Sequence, residues 1–319
     1  MTRLRCAILD DYQNVALQLA DWTQLNDRID VTVFDTPFTS GEEAAAALKD
    51  FEIICAMRER TPFPRTVFEA LPKLKLLITS GMRNAAIDFE AAKARGVVVC
   101  GTAMVGNPTA GLTIGLMLEL TRKIGFENAR MKAGKPWQVT VGEDIEGKTL
   151  GVIGLGKLGS HVATIARAMG MKTIAWSTNL TAEACEKAGV TYATKEELFA
   201  TADIITIHVV LSDRSRGLVS RADLARMKPT AYLINTARGP IVDEAALLET
   251  LQAKKIAGAG LDTYSHEPLP LDSPLRKLDN VVITPHLGYV TAENYRRIYS
   301  EIIEGIGGWL KGEPVRRIG

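Results

Sequence analysis

Three short stretches in the second half of the chain each set reactive side chains just beyond an apolar run. Ile234-Asn-Thr-Ala-Arg238-Gly239 presents an arginine. Gly260-Leu-Asp262-Thr-Tyr-Ser-His-Glu267-Pro268 presents two carboxylates, and Thr284-Pro-His286-Leu-Gly288-Tyr289 presents a histidine. Reduction of a 2-keto acid calls for a fixed cation to hold the substrate carboxylate, a proton donor for the carbonyl oxygen, and a group that fixes the donor's tautomer. Arg238, His286 and Glu267 supply these in turn. Singly they have plainer readings: a surface ion pair for the arginine, a loop for the Glu-Pro, a satisfied structural residue for the histidine. The three are read together because of what precedes them.

That is Lys148-Thr-Leu-Gly-Val-Ile-Gly154-Leu-Gly156-Lys157-Leu158-Gly159, near the middle of the chain. An apolar run ends in three glycines, and a helical pattern (Val162, Ile165, Ala166, Met169) opens directly after them. In a dinucleotide site the first glycine makes the tight turn. The second lets the backbone approach a pyrophosphate, and the third lets the helix pack on the sheet, its N-terminus facing the phosphates. A G-x-G-x-x-G alone is weak; between a strand and a helix it carries weight. The next strand, Thr173 to Trp176, should end at an acid for the adenosine ribose. The chain instead has Ser177, Thr178 and Asn179, neither an acid for NAD nor an arginine for the 2′-phosphate of NADP. His208, ending another strand, is read as lining the cofactor crevice. His161 and His266 are read as structural or exposed.

These residues need rigid elements to hold them. The first hundred residues alternate strands (Arg5 to Leu9, Val31 to Phe34, Ile53 to Met57, Leu74 to Thr79, Val97 to Cys100) with helical segments. Ser40-Gly-Glu-Glu43 forms a capping box, and Pro62 and Pro64 precede a helix around Val67 to Leu71. This alternation predicts a doubly wound parallel sheet with ligands beyond its strand C-terminal ends. Two such ends carry Met57-Arg58-Glu59-Arg60-Thr61 and Ser80-Gly81-Met82-Arg83-Asn84. One long helix is predicted from Pro108 to about Ala133, as an inter-domain strut. Further strands follow at Thr149 to Ile153, Thr173 to Trp176, Ile204 to His208, Ala231 to Asn235, Ala257 to Leu261 and Val281 to Thr284. Thr194-Lys-Glu-Glu197 and Ser220-Arg-Ala-Asp223 open helices, and Thr291 caps a last helix from Ala292 to about Leu310.

At 319 residues two domains are expected. A formal net charge of +1 leaves no electrostatic footprint for nucleic acid or anionic membrane. The expected partners are small molecules and other copies of the chain. Four scattered cysteines, with no C-x-x-C and no Cys/His pair at ligand spacing, point to buried thiols in a reducing compartment and to no metal. The N-terminus runs straight into a strand without a signal-peptide apolar stretch, so the expected location is the cytoplasm.

Taken together, Gly154-Leu-Gly-Lys-Leu-Gly159, Met227-Lys-Pro-Thr-Ala-Tyr-Leu-Ile-Asn-Thr-Ala-Arg-Gly-Pro-Ile-Val242, Ala259-Gly-Leu-Asp262, Glu267-Pro-Leu-Pro270 and Pro285-His-Leu-Gly-Tyr289 resemble the D-isomer-specific 2-hydroxyacid dehydrogenases, including glycerate, phosphoglycerate and glyoxylate/hydroxypyruvate members. The resemblance covers essentially the whole chain. It implies a Rossmann-type cofactor domain, residues 105–286, and a flavodoxin-like doubly wound substrate domain, residues 1–104 and 287–319, that closes over the cleft. It implies an NAD(P)-dependent oxidoreductase interconverting a 2-keto acid and a D-2-hydroxy acid, with Arg238, Glu267 and His286 catalytic.

By the same resemblance the cofactor, NAD with NADP possible, meets Gly154, Gly156, Lys157 and Leu158 at the turn and Ser177 and Thr178 at the ribose. His208, Thr236, Ala237, His286 and Gly288 line the rest, and Asp262 faces the nicotinamide carboxamide. The Ser80–Arg83 loop, through Gly81 and Met82, offers backbone N–H groups to the substrate carboxylate beside Arg238. Arg58 reads a phosphate or second acid group. A homodimer forms through the helix from Pro108 and the segment around Trp137, and the C-terminal regulatory domain of longer phosphoglycerate dehydrogenases is expected to be absent. The chain departs from the family at Ser177, where the ribose-binding acid is usual, at Gly111, where a glutamate is common, and at Val210, where a proline is common. The alternative from another class is a nicotinamide-sensing, corepressor-like binding protein on the same fold; a second enzymatic alternative is oxidation of an inorganic oxyanion.

Overall fold

The computed structural model describes residues 3–319; Met1 and Thr2, where the N-terminal reading begins, lie outside the described residues. The chain forms two compact units. One runs to Gly106 and resumes over Val290–Gly319; the other is continuous, Asn107–Tyr289.

The first unit carries five parallel strands: β1 Leu4–Ile8, β2 Ile29–Val33, β3 Ile53–Ala56, β4 Leu76–Thr79 and β5 Val98–Gly101, in the order β2-β1-β3-β4-β5. β3 and β4 are buried at every position, as expected of parallel strands covered on both faces. This is the flavodoxin-like order, with its reversal between β1 and β3. The helix Gly41–Leu48 starts where Ser40 Oγ accepts the Glu43 N–H at 3.1 Å. The expected box closes differently, for the Glu43 carboxylate accepts from the Thr39 N–H at 2.7 Å.

The helix Ala292–Leu310 starts at Thr291 as read from the sequence. Its buried residues Tyr295, Ile298, Tyr299, Ile302 and Ile306 recur at helical spacing, giving one apolar face that covers β4. Glu301 lies on that face almost fully buried. It is tolerated there because it accepts the Ala103 N–H at 2.6 Å and pairs with Arg297 and Arg316. Beyond the helix, Ile318 N–H donates to Val99 and Gly101 N–H to Arg316, so the last residues line the free edge of β5.

The second unit holds β6 Thr149–Ile153, β7 Lys172–Trp176, β8 Thr191–Tyr192, β9 Ile204–Ile207, β10 Tyr232–Asn235, β11 Gly258–Leu261 and β12 Val281–Ile283. All pair in parallel in the order β12-β11-β10-β9-β6-β7-β8. Counted from β6 this is 3-2-1-4-5-6-7, the Rossmann order with one further strand. Both capping boxes, at Thr194/Glu197 and Ser220/Asp223, are formed. The two-residue edge strand β8, exposed at both positions, has no apolar pattern to announce it.

The single long helix expected from Pro108 is two helices, Pro108–Arg122 and Ile124–Lys132. Lys123 between them is left-handed, φ 56°, which ends the first helix with its N–H on Glu119 O. The first helix is no strut. It packs on β10, β11, β12 and the helix Lys157–Ala168 of its own unit. The division of the chain falls after Tyr289 because Leu287 and Gly288 are tied back to Asp262 at the end of β11.

Candidate active site

Each of β10, β11 and β12 leaves the sheet at the same C-terminal edge, and each exit carries a reactive group. After β10, Asn235 braces the loop from both sides: its Nδ2 donates to Arg238 O at 2.9 Å and its Oδ1 accepts from Ala237 N–H at 3.0 Å. Arg238 is thereby fixed at the start of the 3₁₀ turn Gly239–Ile241, its Nη1 donating to Ala237 O at 2.7 Å. Gly239 lies so close to the exit of β11 that a Cβ there would meet the Tyr264 carbonyl carbon at 2.0 Å. The loops carrying Arg238 and Glu267 are therefore packed backbone to backbone.

Glu267 Oε1 accepts the Tyr264 N–H at 2.9 Å, and Oε2 lies 2.6 Å from His286 Nδ1. A carboxylate only accepts, so Nδ1 carries the hydrogen of that bond and Nε2 is the nitrogen left for proton transfer. Burial pushes the Glu267 carboxyl upward, but the hydrogen bond and charge of His286, with the charge of Arg238, hold it below the usual glutamate range. The carboxylate is thus the resting form of Glu267. His286 is left-handed, φ 54°, a backbone state that a non-glycine residue keeps only when its surroundings hold it there. Its ring meets Tyr289 edge-on, centroids 5.7 Å apart.

The holding group is Asp262, fully buried. Its Oδ1 accepts from Thr284 Oγ1 at 2.6 Å and from Leu287 N–H at 2.7 Å; Oδ2 accepts from Gly288 N–H at 2.9 Å. Burial still wins, raising the carboxyl above the usual aspartate range. Both oxygens are engaged by the loop that carries His286, and Oδ2, with one donor, keeps a further acceptor site. Thr236 is also held from within the unit. Its buried hydroxyl meets Thr113 Oγ1 of the helix Pro108–Arg122 at 3.0 Å, so its side chain packs beneath the loop.

The glycine-rich turn follows β6. Gly154 has φ +96°, and a Cβ there would press on His208 O at 2.8 Å. A Cβ at Gly159 would lie 2.0 Å from Gly154 O, so the helix Lys157–Ala168 sits directly on the turn. In front of Gly156 there is open space, and no side chain caps the helix at that residue, which leaves its first N–H groups to an external acceptor. Lys157 and Leu158 form the first turn of that helix, and Ser177 and Thr178 follow β7.

His208 follows β9, its Nε2 3.0 Å from Thr206 Oγ1 and its buried Nδ1 without a partner among the described residues. Burial pushes its pKa down to about 4, so the ring is neutral. Open backbone at Gly156, an uncapped helix N-terminus and an orphaned buried nitrogen together fit a dinucleotide.

In the first unit, the candidate substrate residues surround the exits of β3 and β4. Arg58 is also left-handed, φ 54°, pinned by its N–H on Ser80 Oγ at 2.8 Å and by Asn84 Nδ2 on its carbonyl at 2.6 Å. Its guanidinium lies over Gly81, where a Cβ would meet Nη1 at 2.3 Å. Gly81, φ +90°, donates its own N–H to Thr102 Oγ1 at 3.0 Å. That overturns part of the expectation for this loop, since the Gly81 N–H is engaged within the protein, and leaves the exposed Met82 as the next backbone donor. Arg58 itself is engaged by Glu59 at 3.5 Å and by Ser80 O at 3.3 Å. Sequence reading gave no role to Glu59, Asn84, Thr102, Asn235 or Thr284. Their common signal is a polar residue within a few positions of a strand end.

A model of the NAD binding domain of D-isomer specific 2-hydroxyacid dehydrogenases matches residues 114–288. A D-3-phosphoglycerate dehydrogenase of Archaeoglobus fulgidus is 39% identical over 87% of this chain and 53% of its own length, so the chain spans about half of that relative. A hydroxypyruvate reductase of Thermotoga maritima is 35% identical over 96% of this chain and 98% of its own. Among solved structures, a phosphoglycerate oxidoreductase from Vibrio cholerae superposes with a TM-score of 0.92 at 33% identity, covering 97% of this chain and 99% of that one. Rossmann order, glycine turn, an Arg238/Glu267/His286 edge and near full-length likeness converge: the chain belongs to the D-isomer specific 2-hydroxyacid dehydrogenase family.

Proposed function

We propose that the protein is an NAD(P)-dependent oxidoreductase interconverting a 2-keto acid and a D-2-hydroxy acid. The observation that carries this reading is the 2.6 Å pair between His286 Nδ1 and Glu267 at the same strand edge as Arg238. Arg238 holds the substrate carboxylate and polarises the carbonyl. His286 delivers the proton from Nε2 in reduction and takes it back in oxidation, while Glu267 fixes the tautomer and orientation of the ring. A bound nicotinamide dinucleotide supplies or accepts the hydride. Gly154, Gly156, Lys157 and Leu158 would hold its pyrophosphate, with Ser177 and Thr178 at the ribose. On the first unit, Arg58 and the Gly81–Met82 loop are assigned to the acid substrate. Neutral Ser177 and Thr178 favour NAD modestly and leave NADP usable.

A scan of glyoxylate, hydroxypyruvate, phosphohydroxypyruvate and bulkier keto acids with NADH and NADPH tests the reading by loss of absorbance. His286→Ala is expected to lower turnover about 10²–10⁴-fold. No turnover with any of these acids would return the chain to a dinucleotide-binding role without chemistry.

The same reading takes the protein to be a cytoplasmic homodimer. All four cysteines are buried thiols. The helix Ile124–Lys132 buries none of its residues, and Ile124, Phe126, Met131, Trp137, Val139 and Val141 are exposed around it, an apolar surface suited to a second copy. A monomer mass by light scattering at micromolar concentration would remove the dimer.

A further inference from the structure

In a 2-1-3-4-5 sheet the order reverses between β1 and β3, and such sheets hold their ligands beyond that point. The chain leaving β1 there carries Asp10, Asp11 and Tyr12. The chain leaving β3 carries Arg58, Glu59, Arg60 and Thr61, and Arg83 follows β4. Three carboxylates and three guanidiniums thus follow these strands, and their formal charges cancel.

Much of that charge is already engaged. The Asp10 carboxylate, buried, accepts from Tyr12 Oη at 3.0 Å and from Thr61 Oγ1 at 2.9 Å. Arg60 donates to the Asp10 carbonyl at 3.2 Å and lies over the Tyr12 ring at 4.6 Å. Asp11 holds the N–H groups of Val15 and Ala16. Arg58 is paired with Glu59, their side chains only 19% and 25% exposed, so water screens the pair weakly.

A phosphate on the substrate carries close to two negative charges at neutral pH. To use Arg58 it would have to take the place of Glu59 and then sit beside the displaced carboxylate. A hydrogen or hydroxymethyl group asks for neither. We infer that Glu59 is a specificity-determining residue that confines the substrates to 2-keto acids whose far end is uncharged, excluding phosphorylated ones by repulsion. This rests on the proposed oxidoreductase reading. It also replaces the expectation that Arg58 reads a phosphate.

The test compares kcat/KM for hydroxypyruvate and 3-phosphohydroxypyruvate with NADH, in the full chain and in Glu59→Gln and Glu59→Ser. The unaltered protein should prefer hydroxypyruvate. Both variants should raise the phosphorylated-to-unphosphorylated ratio roughly tenfold, mainly through KM of the phosphorylated compound, as expected when a like charge is removed from a recognition site. Preference of the unaltered protein for the phosphorylated acid, or an unmoved ratio in both variants, would overturn the role of Glu59 while leaving the oxidoreductase standing. Turnover of neither acid, nor of glyoxylate or bulkier keto acids, would overturn both.

Discussion

Replacing Asp262 by asparagine keeps the shape of the side chain but leaves one acceptor oxygen for three donors. If the amide oxygen keeps Thr284 and Leu287, the amide nitrogen faces the Gly288 N–H across 2.9 Å, donor against donor. One hydrogen bond to a charged group is lost, about 1.5–3 kcal/mol, and a buried N–H is left unmet. Against this, the variant no longer buries a charge, which here is costly enough to raise the carboxyl above its usual range. A net loss of ~2 kcal/mol is expected. For a unit the size of Asn107–Tyr289 that lowers Tm by roughly 4–8 °C.

The same loss frees the loop that holds His286 at φ 54°. A displacement of ~1 Å at the proton donor costs about 10²-fold in turnover. Calorimetry of the protein without ligands gives the first quantity, and steady-state oxidation of NADH by an accepted keto acid gives the second. Because Asp262 acts through His286, kcat should fall more than KM rises. An Asp262→Asn protein that melts within 1 °C of the parent and turns over within twofold of it would show that the loop is held by something else.

Three further outcomes follow from the geometry. Gly81→Ala places a Cβ at φ +90° and into the Arg58 guanidinium, so it should lower stability by about 1–2 kcal/mol in denaturant titration and raise KM for the acid substrate. The Glu267 carboxyl is held below its unfolded value of 4.5, so its pairing stabilises the fold above that pH and the contribution disappears as pH falls through the depressed value. Melting curves between pH 6 and 3 should therefore steepen at the acid end in the parent and flatten in Glu267→Gln. Ser177→Asp should raise the NADH-to-NADPH ratio of kcat/KM about tenfold by repelling the 2′-phosphate, measured by initial rates with both cofactors.

Strand positions were legible because parallel strands buried on both faces read as short apolar runs, and helix starts because Thr194, Ser220 and Thr291 announce themselves chemically. The Glu267–His286 pair was legible as a need of the chemistry, not as a contact; nineteen positions separate the two in sequence. What stayed hidden depends on side-chain direction. Asp262 could have faced a ligand or its own loop, and nothing in Gly-Leu-Asp-Thr says which. Lys123 gave no warning because a lysine in the left-handed region is set by the packing on either side of it. Glu59 lies near the end of β3, but nothing in that position says that it pairs with the neighbouring Arg58.

The interruption of the first unit between Gly106 and Val290 has a consequence for biogenesis. A nascent chain that has made β1 to β5 still lacks the helix that covers β4 and the residues that line the free edge of β5. While all of Asn107–Tyr289 is synthesised, at ~5–20 residues per second, the nascent sheet keeps an apolar face and an open edge. The continuous second unit meets no such delay. The order of completion should then run against the order of synthesis, with the middle of the chain finished before its beginning. A released chain truncated after Tyr289 would carry a protease-resistant second unit tethered to a protease-sensitive first one.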